Sequence, residues 1–346
     1  MKADIKSMNV EELEQLLANI GEKKYRASQI FEWMSRGVRT FDEMTNLPKA
    51  LREKLDELAF IETLEMERLQ ISAKDGTRKY LFKLKSGNAI ESVFLKYRYG
   101  NSVCISSQAG CRMGCAFCAS AIGGRADNLS PAEMLDQVLS IGRDTGERIG
   151  NVVVMGIGEP FDNYENLCHF IELIHAEEGL NMSLRAITVS TCGIIPKIEA
   201  FGRDFPQVNL AISLHAPNDE VRNQLMPINK KYPMGELLQV CRNHTKETGR
   251  RITFEYAMIK GVNDKLSHGE ELSNKLRHML CHVNLIPLNP VSEREYASTD
   301  RQAAENFRKI LEEKGIQTTI RRELGMDIEG ACGQLRLQTL ENRADN

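Results

Sequence analysis

Through roughly the first 58 residues, apolar positions recur at helical spacing. NVEELEQLLANIG opens on Asn9 as a cap and closes on Gly21, and YRASQIFEWMSRG and LPKALREKLDELAF carry the same period. Strand-like segments follow, with ERLQISA and RKYLFKLK flanking Asp75–Gly76, a candidate hairpin turn. This pattern predicts an accessory region over residues 1–99, a helical bundle followed by a β extension.

From about residue 100 the rhythm changes. SVCIS, NVVVMGIG, RAITVST, QVNLAISLH, RITFEYAMI, HVNLIPLN and QTTIRRE are short, apolar and rich in β-branched side chains. Between most of them lie polar stretches of helical spacing, among them SPAEMLDQVLSIGRDTG, ENLCHFIELIHAEEG and HGEELSNKLRHML. Strands alternating with helices predict βα units and a parallel sheet. Six or seven such units are too few for eight-fold closure. The expected fold class is therefore α/β, an open, partial (β/α) barrel over residues 100–346. In such barrels the chemistry gathers at the C-terminal ends of the strands. Here those ends read CISSQAGC, MGIGEP, VSTCG, SLHAPN and LIPLNP, which are polar, glycine-rich or cysteine-bearing.

Composition narrows the setting. The chain has 346 residues, 42% hydrophobic and 27% charged, as in ordinary soluble globular proteins. Its start, MKADIKSMNVEELEQ, is polar and does not read as a secretory signal, and no apolar run approaches the ~20 residues that span a bilayer. A cytoplasmic, reducing location with no membrane partner is expected. Nine cysteines, an odd number, then point to metal binding or catalysis and not to a disulfide framework. The net charge of −3 gives no global sign of a nucleic-acid partner. Locally, RKYLFKLKSGNAIESVFLKYRY (78–99) sets six basic residues against one acid, Glu91. It reads either as a strand pair with one solvated face or as a phosphate-contacting surface beside an RNA site. Charge alone does not choose.

Residues 104–118, CISSQAGCRMGCAFC, hold four cysteines in fifteen residues. Cys111, Cys115 and Cys118 share one loop, with Cys104 apart at a strand end. A structural zinc site takes four ligands, usually as paired CxxC units, and would have to recruit Cys104. A [4Fe–4S] cluster held by three cysteines instead leaves one iron open to a substrate or cofactor. Phe117 would help to exclude water there. Past the next strand, Gly156 and Gly158 would let backbone approach a ligand, and Glu159 could accept from an ammonium.

The CxxxCxFC loop resembles that of the radical S-adenosylmethionine (SAM) superfamily. CISSQAGC, MGIGEP, VSTCGIIP, AISLHAPN, MPINKKYP and GACGQL, with YRASQIFEW and FDEMTNLPKALR near the start, resemble the RlmN family of RNA methyltransferases along most of the chain. The resemblance implies a barrel of the radical SAM type. It implies a [4Fe–4S] cluster on Cys111, Cys115 and Cys118, with SAM chelating the open iron. It assigns the SAM site to Gly158, Glu159, Ser190, Ser213, Leu214, His215 and Asn289.

The implied reaction methylates carbon 2 of adenine and uses two SAM molecules per turnover. One methylates Cys332. The second, reduced by the cluster, yields a radical that takes hydrogen from the S-methyl group, and the resulting carbon radical adds to the base. Cys104 then attacks the sulfur of Cys332, freeing the product through a transient disulfide, and Glu91 accepts the proton from carbon 2. The implied substrates are the peptidyl-transferase-centre adenosine of 23S rRNA and the adenosine 3′ of the tRNA anticodon, presented unpaired or flipped out. Residues 1–99 are the expected RNA-holding part. A flavodoxin- or ferredoxin-type electron donor is implied, and a monomer is expected.

Two alternatives stand beside this reading. A Cfr-type relative methylates carbon 8 and confers antibiotic resistance, but its pattern has Ala where Pro160 stands here. A zinc-stabilised, non-catalytic RNA-binding protein is the other. Cys168, Cys241 and Cys281 are expected to be structural, and Cys192 has no evident chemical task.

Overall fold

The computed structural model describes residues 2–97, 100–124, 127–289, 291, 293–328 and 335–336. One ten-stranded sheet organises them: β1 Glu65–Ile71, β2 Arg78–Lys83, β3 Ala89–Tyr97, β4 Gly100–Ile105, β5 Asn151–Val154, β6 Ile187–Thr191, β7 Asn209–Ser213, β8 Ile252–Met258, β9 Cys281–Pro287 and β10 Gln317–Ile320. Neighbours in the sheet are neighbours in sequence, from β1 at one edge to β10 at the other. β1 to β4 run antiparallel, and β4 to β10 run parallel. The hairpin expected at Asp75–Gly76 joins β1 to β2, with Gly76 at φ +74°.

Parallel neighbours need crossover helices, and the expected alternation supplies them. Before the sheet come α1 Val10–Asn19, α2 Arg26–Ser35 and α3 Lys49–Leu58. After β4 follow α4 Pro131–Thr145, α5 Tyr164–His175, α6 Ile195–Asp204, α7 Asp219–Leu225, α8 Met234–Thr248, α9 Leu266–Leu276 and α10 Arg301–Glu313. α1 begins at the predicted cap, where Asn9 and Glu12 form a reciprocal capping box. Ser130 and Glu133 do the same for α4.

Along the parallel strands, alternate residues divide two faces. Val152, Val154, Ile187, Val189, Leu210 and Phe254 are buried in one cluster with the helices. Val153, Thr188, Ser190, Ser213, Glu255 and Asn284 take the intervening positions, in register Val153↔Thr188 and Ser213↔Glu255↔Asn284. A parallel sheet covered by helices on both faces reads as continuous apolar runs. The polar alternation leaves the inner face for something other than a helix, as an open barrel requires.

The main hydrophobic cluster also takes in Leu13, Leu17, Ile30 and Leu51 of the N-terminal helices, with Leu135 of α4. A fully buried ion pair, Lys6 to Asp136 at 2.7 Å, ties the chain's start to α4, and Asp136 also accepts the Leu64 N–H at 2.7 Å. The sheet runs through the expected 99/100 boundary, where β3 pairs with β4. Among the described residues no helix is long and apolar enough to cross a membrane.

The basic segment departs from the solvated-face reading. Seven successive residues of β3, Ala89–Leu95, are buried, as are residues 79–82 of β2. Both faces are covered: Ser92 donates to Gln137 of α4 at 2.7 Å, and Leu81 and Ala89 pack on Leu335. The positive charges meet carboxylates drawn mostly from other segments. Arg78 pairs with Asp144 (2.8 Å), Lys79 with Glu91 (3.2 Å), Lys83 with Glu65 (3.6 Å), Lys85 with Glu62 (2.8 Å) and Lys96 with Glu147 (2.9 Å). Among the described residues the local excess of positive charge is balanced in space, and Arg98 lies outside them.

Candidate active site at the C-terminal rim of the barrel

Past β4 the chain is braced before it reaches the cysteines. Ser106 donates its hydroxyl to the Glu91 carbonyl at 2.6 Å and accepts the Ile157 N–H at 3.0 Å, while its own N–H donates to Gln137. Gln108 accepts the Glu159 N–H at 2.9 Å and donates to Asp162 at 2.9 Å. Arg112 reaches the same Asp162 oxygen at 2.7 Å. Gly114, at φ +71°, turns the loop between Cys111 and Cys115, and the Ala116 N–H docks on the Leu225 carbonyl of α7 at 2.9 Å.

The two glycines of MGIGEP have a reason other than the expected approach to a ligand. A Cβ on Gly156 would lie 2.7 Å from the Ile105 carbonyl oxygen, and one on Gly158 would lie 2.6 Å from Gln108 Cβ. The chain's own backbone fills that space, and Gly158 also needs φ +109°. Close packing of this turn on the cysteine loop brings Glu159 inward.

The result is a cavity of about 180 Å³ lined by Cys111, Cys115, Cys118, Gly158, Glu159, Ser190, Ser213 and His215. Eight predicted site residues from four strand ends thus share one space. Phe117 meets the His215 ring edge-on at 4.9 Å, walling one side with apolar surface. Cys192, given no task from the sequence, lines the cavity too, and its N–H donates to Glu159 Oε2 at 2.7 Å.

Burial sets the electrostatics. It pushes the Cys111 thiol up to about 12, and it drives Cys115 well above the usual thiol range, with the neighbouring thiols adding to the effect. Burial also raises the Glu159 carboxyl, although Glu159 accepts the Phe161 and Cys192 N–H groups. His215 falls to about 3 through burial, with Arg222 adding to the shift. Its Nδ1 accepts the Ala257 N–H at 2.9 Å, so the neutral ring carries its proton on Nε2. This side chain is held at φ +54°, an uncommon conformation for a residue other than glycine.

Other predicted residues lie apart. Leu214 is fully buried, and its N–H donates to the Glu255 carbonyl at 3.0 Å. Asn289 is exposed, beyond the end of β9 and outside the residues lining the cavity. Cys104 sits on β4 opposite Val93 of β3, in a small cluster packed by Met155, and Met155 itself lines the cavity. Glu91 is buried, paired with Lys79, and accepts the Arg336 N–H at 2.6 Å. Cys332 lies outside the described residues.

One residue escaped sequence reasoning. Arg222 of α7 is fully buried and donates to the carbonyls of Cys192 (2.7 Å), Ser213 (3.3 Å) and Leu214 (3.3 Å), and to Asn229 Oδ1 (2.8 Å). Nothing local in APNDEVRNQL marks an arginine that reaches two strand ends.

Cys111 and Cys115 resist ionisation by themselves, and such thiols become ligands when a cationic centre compensates them. This donor set fits an iron–sulfur cluster. Among the described residues no group of three Cys, His, Asp or Glu side chains is placed to hold a metal ion of its own.

Comparison with known proteins agrees. Residues 105–267 match the Radical SAM superfamily, and residues 3–61 match the ribosomal RNA large subunit methyltransferase N-terminal domain. A protein of Lachnospira eligens named probable dual-specificity RNA methyltransferase RlmN is 54% identical, covering 98% of this chain and 97% of its own. The chain belongs to the RlmN family of radical SAM RNA methyltransferases. Another RlmN protein, from Alkaliphilus oremlandii, is 52% identical over 99% of both chains. The crystal structure of a radical SAM methyltransferase from Sphaerobacter thermophilus matches with TM-score 0.92 and 44% identity, over 96% of this chain and 98% of that one. The expected fold, a partial barrel of the radical SAM type, is borne out. Membership implies a [4Fe–4S] cluster and SAM as cofactors.

Proposed function

We propose that this RlmN-family chain methylates carbon 2 of adenine in RNA, acting on the peptidyl-transferase-centre adenosine of 23S rRNA and on the adenosine 3′ of the tRNA anticodon. The observation that carries this is the meeting of Cys111, Cys115 and Cys118 with Gly158, Glu159, Ser190, Ser213 and His215 on one cavity. Bound there, the cluster supplies the electron that cleaves SAM. The chain's part is to present one carboxylate, two hydroxyls and the His215 Nε2–H to the cofactor, with Leu214 and Asn289 completing that site. Phe117 keeps water out.

Cys332 is the methyl carrier and Cys104 the resolver. The Cys104 thiolate bonds to the Cys332 sulfur as the carbon–sulfur bond breaks. The electron pair leaves on the methylene carbon, which takes a proton to become the product methyl, and a thiol reductant restores both cysteines. Glu91 takes the proton from carbon 2. The packing of Leu335 on Leu81 and Ala89, and of the Arg336 N–H on Glu91, supports this assignment. Cys332 is three residues from Leu335, a chain reach of roughly 10 Å.

Residues 1–99 hold RNA and supply Glu91, and residues 100–346 carry the rest of the chemistry. The chain acts as a cytoplasmic monomer, with electrons from a flavodoxin- or ferredoxin-type protein. The test is to incubate the reconstituted protein with SAM, reductant and either a 23S rRNA fragment or tRNA, then measure nucleosides by mass spectrometry. 2-Methyladenosine in both RNAs is expected. 8-Methyladenosine would instead establish the Cfr-type reaction, and unmodified RNA would overturn the reading.

A further inference from the structure

Arg222 is a buried cation whose hydrogen bonds all go to neutral acceptors: three backbone carbonyls and the Asn229 amide oxygen. Among the described residues no carboxylate stands within ion-pair distance of it. Asp219, one turn earlier on α7, is engaged by Asn229 Nδ2 and the Met234 N–H, both at 2.8 Å. A buried charge of this kind is costly unless an opposite charge compensates it.

Asp219 offsets part of that cost through its field, and a further negative charge has a natural place. The carbonyls that Arg222 holds, Cys192 and Ser213, lie at the ends of β6 and β7, where the cavity begins. One turn further along α7, the Leu225 carbonyl anchors the cysteine loop through the Ala116 N–H. Cys115 and Phe117 pack against Leu225, Met226 and Cys192 in a single cluster. Arg222 thus stands directly behind the thiol-bearing wall. Arg112, the cation within the loop itself, is exposed and paired with Asp162.

We propose that Arg222 is the fixed counter-charge of the three-cysteine site, a positioning residue that eases reduction of the cluster held there. This rests on the radical SAM reading of the cavity. Three thiolates outweigh the charge of an oxidised cluster core, so the site is negative, and reduction adds one more negative charge. A fixed cation in a low-dielectric wall stabilises the reduced form more than the oxidised form. The chain thereby raises the reduction potential without a ligand change, through an arginine outside the residues that line the cavity.

The experiment uses the full-length protein, reconstituted anaerobically with iron and sulfide, as wild type, Arg222→Lys and Arg222→Gln. Iron and sulfide content and thermal unfolding are recorded first, then the midpoint potential by titration with electron paramagnetic resonance detection. Arg222→Gln is expected to hold a cluster with a more negative potential, so that the reduced signal at a fixed poise falls several-fold. Arg222→Lys keeps the charge and stays near wild type. An unchanged potential in Arg222→Gln overturns the proposal.

If that variant does not fold, Asn229→Asp serves instead, because it sets an anion against an intact guanidinium. A negative shift supports the proposal, and no shift overturns it. A wild-type protein that takes up no cluster would overturn the reading of the cavity itself, and this inference with it.

Discussion

In the loop after β4, three cysteines fall within eight positions, 111–118, and face one cavity. On β2 and β3, the next strands of the sheet, the important contacts come from afar. Lys79 and Glu91 meet across two strands, Arg78 meets Asp144 at the end of α4, and Glu91 accepts from Arg336 at the other end of the chain. The first region is a motif, and its chemistry is carried by spacing. The second is an assembly, in which each charge means little until the fold supplies its partner. In the proposed function, cofactor chemistry falls to the motif, and the RNA-side steps fall to Glu91 on β3 and Cys104 on the adjoining β4.

The largest expected effect breaks the motif. Cys111→Ala, Cys115→Ala or Cys118→Ala should lower bound iron and acid-labile sulfide more than about tenfold. Cys192→Ala should keep both, because the site uses its backbone N–H. Zinc in place of iron in the wild type would count against the account.

Next comes the assembly. Lys79→Met leaves Glu91 buried beside no lysine and should cost about 3–5 kcal/mol in denaturant unfolding. Adding Glu91→Gln should recover part of that loss, and failure to recover would mean that the pair is not coupled. Gly158→Ala tests the brace between the two regions. A left-handed backbone and a Cβ 2.6 Å from Gln108 Cβ should together cost about 2 kcal/mol or more.

His215 gives a pH signature. Its folded pKa of about 3 lies below the ordinary 6.5, so between these values the unfolded chain binds a proton that the folded chain does not. Its contribution is complete above about pH 6.5 and falls as pH drops toward 3. From pH 7 to pH 5 the wild type should lose about 2 kcal/mol more than His215→Gln. Equal losses would show a histidine that titrates normally.

The smallest effect concerns surface charge. Reversing Lys83 and Lys85, both already paired and exposed, should change RNA affinity by no more than about fivefold. Reversing Lys230 and Lys231, exposed a few residues after Pro227, which lies beside Gly114 of the cysteine loop, and with no carboxylate partner among the described residues, should weaken it more and flatten its salt dependence.

Legibility in the sequence followed this same division. The βα alternation, the hairpin at Asp75–Gly76 and the cap at Asn9 all rest on neighbours within a few residues, and all were readable. So was the grouping of the cysteines with Glu159 and His215, because strand ends of one barrel share one rim. The burial of Lys79 was not readable, since it depends on the pairing of β2 with β3, which brings Glu91 to it. Nor was the need for glycine at 156 and 158, which depends on Ile105 and Gln108 some 50 residues upstream. Arg222 gave no sign either, because a buried arginine and an exposed one look alike until the strands it reaches are placed.

The division of labour between the two regions is tested most directly with Cys104→Ala. The reconstituted variant should hold a full cluster and methylate Cys332, then stall with RNA joined to the protein through a methylene bridge, visible as a slow-migrating, RNase-sensitive band and as a nucleotide adduct on the Cys332 peptide. Normal release of methylated RNA by this variant, with no trapped species, would contradict the account.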